Sequence, residues 1–595
     1  MQSIFFFLLF LRLFCQPSLA IEEFTLEQNI TYTINHSGSA HVKQENKLTN
    51  NFSQIYSPEY VYQLSDTGVQ NIVGSDSAGN IVKSVEKNDD GTTVSLKFND
   101  PAVGKGNSTV FSLSFQSPDF AVNKGKMWEI ALPEFINHKE SDIINLTLKV
   151  PLSFGKISFS SVPLASTSQS GQNHLIQINS SSVKDQKILL IFGDFQLFDF
   201  NLTYYLDNDN KDYISTQIAI PPDTENQKIY YSSIQPQPQN IVQDNDGNWL
   251  AEYFLDPLET VEVHVTGQVK ISPLSATQEE IDFQSLTKDQ EFWPVSDDQI
   301  QAIANSLSTP KDIYSYVVKT LNYDYNQINS AKRKGALMAL AQPDNSLCTE
   351  FTDLFVTLAR AKGIPAREIE GYAHTNNTKI KPTNVNADIL HAWPQYYDNA
   401  SKKWKSIDPT WGKTTKGIDY FNDLDLNHFT LVIHGEDSQN PPPPGSYKKN
   451  RQTKTVDIKF AQSELEKPNI SPIVLEPIST KINQSPKIKI SNPNLLALTN
   501  ITIKGIGFEY KQQLPSLPPL GSVEAEIPQI PFFKSLLPHN QKIKLLVSHI
   551  DSPSVEEIEI RYLPHFLNLA ITLLGTVFIL STIALVVNIA KRKQT

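Results

Sequence analysis

The sequence predicts a multidomain, mainly β protein with one α+β domain at its centre and a single membrane-crossing helix near its end. Three observations predict this class. Long stretches alternate apolar and polar residues between turn-forming residues, which is the period of half-buried strands. Helical periods begin near 285 and run to a stop at Gly363 and Pro365, and strand-like runs follow. The run Phe566 to Ala590 holds 25 residues and no charge. At about 1.5 Å per residue it crosses a ~30 Å hydrocarbon core with some tilt.

The elements follow in chain order. Residues 21–200 read as a β-sandwich-like module and 201–275 as a further β module, with the boundary near 190–205. "EFTLEQNITYTINHSGSAHVKQENKLTN" alternates, turns at His36-Ser37-Gly38-Ser39, and alternates again. Asp89-Asp90-Gly91 and Asp244-Asn245-Asp246-Gly247 mark further hairpins, because glycine supplies the positive φ of tight turns. "DNDNKD" at 207–212 resembles half of a calcium loop. Ile218 stands where that loop needs its bidentate Glu, so a polar turn is expected there.

Residues 285–435 form the predicted α+β domain. Ser296 followed by Gln299 is a capping-box pattern ahead of Ile300 and Ile303. Thr309 reads as an N-cap with Pro310 at the first helical position, and Ile313, Val317 and Leu321 share one face. A third helix is expected around Ala331–Ala341. A fourth starts at Cys348, with Phe351, Leu354, Phe355 and Leu358 as its apolar face and Gly363 and Pro365 as its stop. Strands follow in "AREIEGYAH", "ILHAWPQYYD" and "KWKSID". Residues 436–451, with four consecutive prolines, predict an extended linker. Residues 452–562 return to β alternation over the length of one immunoglobulin-like domain.

The two ends predict where the chain resides. Residues 1–20 read as a signal peptide: Ile4 to Leu11 is apolar but too short to span, and Ser18-Leu19-Ala20 is a cleavage pattern. No Lys or Arg precedes that run, and Arg12 ends it. Lys591-Arg592-Lys593 directly follows the C-terminal apolar run, and positive charge favours the cytoplasmic side, so 591–595 is the expected cytoplasmic tail. The expectation is a single-pass cell-membrane protein with its bulk outside. A net charge of -12 without basic clusters argues against nucleic-acid binding, which needs Lys and Arg to neutralise phosphates. Asn-x-Ser/Thr triplets such as Asn29, Asn35 and Asn51 are frequent, but an Asn- and Ser-rich chain makes them by chance.

The chemistry gathers around Cys348. Once the leader with Cys15 is removed, it is the one cysteine left, so no intramolecular disulfide partner exists. A thiolate at a helix N-terminus is favoured by the backbone N–H groups there, and the same groups suit an oxyanion. Attack on a carbonyl also needs a base and an acceptor that orients the base. His391 in "LHAWPQYY" and Asp408 in "WKSIDPT" lie on successive strands joined by a short turn at 398–402, which can place them side by side. His374 is the rival base, but it sits at a strand end beside "TNNT". Each residue alone has a plainer reading: a packed thiol, a core histidine, a turn-forming Asp before Pro409.

The three motifs "LCTEFTDLFVTLARAKGIPAREIEGYAH", "LHAWPQYY" and "WKSIDPTW" resemble the transglutaminase-like superfamily, in that order, over about 285–435. The resemblance implies a papain-like core with Cys348 as nucleophile, His391 as base and Asp408 as the residue that orients it. Leu347 departs from the Gly or Asp that many relatives place before the cysteine. Gln342 is a side-chain candidate for an oxyanion donor, and Trp393 and Trp411 are candidates for the acyl groove, against a plainer reading as core tryptophans. No metal or cofactor is expected, because no cluster of metal-ligand spacing accompanies these residues.

The resemblance implies a cell-surface cysteine acyltransferase or amidase acting on protein or peptide amides through a thioester, ending in crosslinking or hydrolysis. The competing expectation is a surface adhesion or assembly protein whose central domain binds peptide without turnover, since β modules make up over half of the exterior.

Overall fold

A computed structural model describes residues 22–592, apart from 65–67, 89–90, 133–141, 180–187, 274–281, 328–331, 376, 384–389, 416–417, 423, 451–452, 466–468, 479–484, 529–538, 550–553 and 563–565. The expected leader and the Asp89-Asp90 turn lie outside the described residues. The chain forms two compact units, one of 22–123 with 128–192, the other of 124–127 with 193 onward.

The described residues of the first unit form strands, with one 3-10 turn at Leu152–Phe154. Strand Phe24–Ile34 buries alternate side chains. It pairs antiparallel with Ala40–Asn50 along its whole length and parallel with Ile143–Pro151 on its other edge. These belong to an eight-stranded sheet. Their turn falls where the sequence places it. Asn35 Oδ1 accepts the Ser37 and Ser39 N–H groups, and Gly38 has φ +89, with the Ala121 carbonyl where a Cβ would stand.

The second unit begins with two antiparallel sheets. One contains Gln227–Gln235, Thr260–Ile271, Gln196–Asp207 and Val456–Phe460; the other contains Ile214–Ile220, Trp249–Leu255 and Asn240–Gln243. The polar segment expected to be a turn is one: Asn208 is buried and its amide donates to the Asp212, Leu255 and Asp256 carbonyls. Val456–Phe460 lies past the Pro-rich segment yet pairs with Gln196–Asp207 from Leu202↔Val456 to Phe198↔Phe460. The sequence division at 452 assigns this strand to the C-terminal β domain. Its partner is set by long-range edge pairing, which local alternation does not reveal.

Helices then precede strands. Pro310–Thr320 has the expected Thr309 cap, completed by Asp312 reaching back to the Thr309 N–H. The helix before it, Asp298–Ser306, is capped by Asp297 rather than Ser296. The Asp297 carboxylate accepts the Gln299 and Ile300 N–H groups, while the Ser296 hydroxyl donates to Asp289. An ionised Asp beside a Ser takes the cap because its charge also complements the helix dipole. The third helix starts at Ala336, later than expected, after Gly335 at φ +79. Lys334 just before it gives its backbone N–H to Glu350.

The Cys348–Ala361 helix is buried on almost every side. That is the signature of a central core helix. It packs among the three preceding helices and an antiparallel sheet ordered Lys403–Ser406, His391–Asp398, Ala366–Ala373, His428–His434. The outer edge of that sheet would leave N–H and C=O groups unpaired in the interior, which is costly. Side-chain amides close it. Gln227 donates to the Thr430 carbonyl and accepts its N–H, and Asn248 does the same for Ile433.

The C-terminal β region has two antiparallel sheets. The first, second and fifth strands (Val474–Ile478, Lys487–Ser491, Ser522–Glu526) form one. The fourth, third, sixth and seventh (Lys511–Leu517, Leu498–Gly505, His539–Ser548, Ser554–Tyr562) form the other, and both contribute to one apolar core. Phe566–Arg592 is one helix, of which Ala570–Ala590 is long and apolar enough to cross a membrane.

Candidate active site

Cys348 is the first residue of its helix, preceded by Leu347 in extended conformation. Glu350, one turn in, is buried and accepts the Leu347 and Lys334 backbone N–H groups. It therefore ties the loop before the helix to the helix's first turn. Cys348 is buried, 5% exposed as a residue.

His391 opens its strand opposite Gly371 of the central strand. A Cβ on Gly371 would run into the Phe429 carbonyl oxygen and the Trp393 ring. The glycine lets those two strands close up. His391 Nε2 donates to Asp408 Oδ2 at 2.9 Å. The other ring nitrogen, Nδ1, is buried without a hydrogen-bond partner of regular geometry, and the Cys348 side chain is near enough to favour the protonated ring. Burial alone would depress the His391 pKa. The Asp408 carboxylate and then Cys348 outweigh it and raise it to about 9.

Asp408 is fully buried and has two functions. Its Oδ1 accepts the Trp411 N–H at 2.9 Å and so caps the Pro409–Thr414 helix. Its Oδ2 holds His391. Burial would raise the Asp408 pKa, but His391 and a second histidine, His428, bring it down to about 2. The structure thus brings Cys348, His391 and Asp408 together.

Trp393 and Trp411 lie in the interior beside the two histidines. Both are essentially fully buried. Trp411 stacks on the His391 ring at 5.1 Å and donates its indole N–H to the Pro382 carbonyl, while Trp393 packs edge-on against His428. Indole rings against an imidazole fix its plane and keep water away, as the plainer reading of these residues as core tryptophans implies. Gln342 stands exposed at the end of the Ala336–Ala341 helix, six residues ahead of Cys348. His374 is engaged elsewhere, with its Nδ1 at 3.1 Å from the Tyr372 hydroxyl and its ring on Phe460.

Three residues escape sequence reasoning: His428, Asp425 and Lys381. His428 begins the edge strand, opposite Ala373. Its Nδ1 donates to Asp425 Oδ1 at 2.8 Å, and its Nε2 lies 3.6 Å from Asp408 Oδ2. Lys381 stands 3.6 Å from Asp425 Oδ2 and over the Trp411 ring. The local signal for this is an Asp three residues before a His at a strand entrance, a pattern too common to single out. Donor atoms of His391, Asp408 and His428 fall within 4.8 Å of one another, as do those of Glu368, Glu370 and His434. Residue spacing does not predict either group, since both are assembled by sheet register. The second group is neutralised internally: Arg333 pairs with Glu368 at 2.7 Å and with Asp353, and His434 donates to Glu368 at 3.1 Å.

The profile of the transglutaminase-like superfamily matches residues 295–409, a span that contains Cys348, His391 and Asp408. No curated protein sequence matches the chain. Among solved structures, a candidate cysteine protease from Cytophaga hutchinsonii overlaps with a TM-score of 0.30 at 15% identity, covering 45% of this chain and 86% of its own. A candidate nutrient-binding protein from Legionella pneumophila overlaps with a TM-score of 0.23 at 7% identity, covering 29% and 67%. An M1 zinc metallopeptidase from Deinococcus radiodurans overlaps at 0.21 and 11%, covering 29% and 43%. Overlaps of this size carry no argument about activity.

Proposed function

We infer that this chain, whose residues 295–409 are a transglutaminase-like superfamily domain, is a membrane-tethered cysteine acyl-transfer enzyme acting on protein or peptide amides. The observation that supports the reading most is the His391–Asp408 pair, 2.9 Å long and buried, beside a thiol at the first turn of a 14-residue helix.

The proposed reaction uses these atoms directly. Cys348 and His391 react as a thiolate–imidazolium pair: the cysteine's proton rests on His391 Nδ1, and Asp408 holds the imidazolium from the far side. The sulfur attacks the amide carbon. The carbonyl oxygen gains negative charge, which N–H groups at the head of the helix suit by their orientation. The C–N bond breaks as His391 returns the proton to the departing ammonia or amine, which leaves a thioester on Cys348. A primary amine then forms a new amide, or water forms the free acid, and the thiol is regenerated.

The apolar helix at 570–590 supports the tether. We place residues 21 to about 560 on the outer face, on the strength of Lys591-Arg592-Lys593 beyond the helix. The C-terminal sandwich then acts as a spacer above the membrane. Its strand order, with the fourth strand beside the third, supports an immunoglobulin-like reading.

A fluorescent primary amine and a glutamine-bearing protein, offered to the full chain and to Cys348→Ala, test the reaction. The expected result is amine incorporation or product release by the parent alone. Release of acid or peptide without incorporated amine assigns hydrolysis. Equal behaviour of both proteins removes the enzymatic reading and favours peptide binding without turnover.

A further inference from the structure

Two imidazole nitrogens converge on one carboxylate oxygen in this site. Asp408 Oδ2 takes His391 Nε2 at 2.9 Å and lies 3.6 Å from His428 Nε2. The other nitrogen of His428 meets a second carboxylate, Asp425 Oδ1, at 2.8 Å. Ionised carboxylates only accept hydrogen bonds. A neutral imidazole has one N–H and one lone pair, so it would aim that lone pair at a buried anion. An imidazolium has an N–H for each.

We propose that His428 is a fixed cation, protonated on both nitrogens throughout the reaction, and that it acts as a positioning residue which keeps Asp408 ionised while His391 gives up and regains its proton. The proposal rests on the reading of Cys348, His391 and Asp408 as the reacting set. When His391 passes on its Nδ1 proton it still donates Nε2–H to Asp408 but no longer carries a charge; among the described residues Asp408 then has no other cation at hydrogen-bond distance, and a buried anion without a counter-charge is unfavourable. His428 supplies the missing charge.

The groups that face His428 are few. Asp425 comes from the turn before its own strand, Asp408 from the head of the Pro409–Thr414 helix, and His391 from the strand beyond Ala366–Ala373, with 6.0 Å between ring centroids. Lys381 stands behind Asp425. Trp393 and Trp411 cover the ring, with centroids at 5.0 and 4.7 Å. The order along this path is Lys381, Asp425, His428, Asp408, His391, Cys348, in which cationic and anionic groups alternate. Asp425 is locked as an anion by the Asn427 N–H at 3.1 Å and by His428. Burial would lower the His428 pKa, and Asp425 with Asp408 outweighs it, raising it to about 9.

The sign of the effect separates this role from simple packing. A positive charge about 6 Å from the His391 ring opposes protonation of that ring. Removing it therefore raises the His391 pKa by about 1–2 pH units, which makes His391 a weaker proton donor to the leaving group. Loss of a merely structural ring would loosen the Asp408 contact and lower the His391 pKa instead.

The test uses the full chain in detergent micelles, labelled with 13C at histidine Cε1, titrated by NMR as the parent, His428→Gln and Asp425→Asn. Expected in the parent is a His428 ring that stays doubly protonated beyond pH 8. Asp425→Asn should bring that titration down toward the ordinary histidine value, and His428→Gln should move the His391 midpoint upward. A parent His428 that titrates near pH 6.5, or a His391 midpoint that stays or falls in His428→Gln, overturns the proposal. Should His428→Gln fail to fold, the parent titration and Asp425→Asn decide it. Iodoacetamide alkylation of Cys348 in the parent tests the enzymatic reading separately. A slow thiol would remove that reading without changing what the His428 titration says.

Discussion

At the scale of single residues, the site depends on what Asp408 holds. Its two oxygens serve a helix cap and a histidine, and Asp408→Asn separates these duties. Asn caps a helix about as well as Asp, so the fold should survive with a small change in melting temperature. His391 loses the anion that keeps it protonated, and alkylation or turnover at Cys348 near pH 7 should fall by ~10²-fold or more. Retained reactivity would contradict the assigned role. The same groups predict a pH dependence of stability. His391 and His428 have pKa values raised to about 9, above the ~6.5 of an unfolded histidine. Their contribution is complete below pH ~6.5 and is lost as pH rises through about 9. Asp408, lowered to about 2, contributes above its unfolded value of ~3.9 and loses that contribution as pH falls through about 2. Thermal melts from pH 6 to 10 should show a steady loss of stability, shallower in His428→Gln. Cys348, His391 and Asp408 are legible in the sequence because each sits in a contiguous motif with its own flanking signature. His428 and Asp425 are not, because their chemistry arises from register across a sheet, where Ala373 faces His428 and Gly371 faces His391.

At the scale of elements, close approach and edge closure hold the site in place. Gly371→Ala would force apart the His391 strand and the edge strand, because the added methyl meets the Phe429 carbonyl and the Trp393 ring. Overpacking of this kind costs ~1–3 kcal/mol, and the urea midpoint should drop accordingly. The edge strand itself relies on borrowed amides. Asn248→Ala leaves the Ile433 N–H and C=O buried and unpaired, a loss of ~1–3 kcal/mol, and should speed amide exchange along His428–His434. Unchanged exchange there would show that the edge is held by something else. Local chemistry made the Thr309 cap, the Cys348 helix and the His36–Ser39 turn readable, since each signal lies within a few residues. The cap falls on Asp297 and not on Ser296, one residue earlier, because Ser and Asp stand side by side and only the electrostatics of the assembled turn decides between them.

At the scale of the whole molecule, alternation and composition show a β-rich chain with an α+β centre and an apolar helix, but not how the β segments pair. Val456–Phe460 returns across the Pro-rich segment to the sheet of Gln196–Asp207, so the central domain is bracketed by β structure from both sides of the sequence. Deleting residues 566–595 should move the protein from the membrane to the soluble fraction without altering the melting temperature of the remainder. A truncated chain that still sediments with membranes would place the anchor elsewhere. Whether Cys348 is an activated nucleophile is decided by its rate of alkylation with iodoacetamide near pH 6, where a free cysteine, with a pKa of ~8.5, is almost entirely protonated. Alkylation should run at least ~10-fold faster than that of free cysteine, be abolished in Cys348→Ala and be strongly slowed in Asp408→Asn. A Cys348 that reacts no faster than free cysteine would contradict this activation.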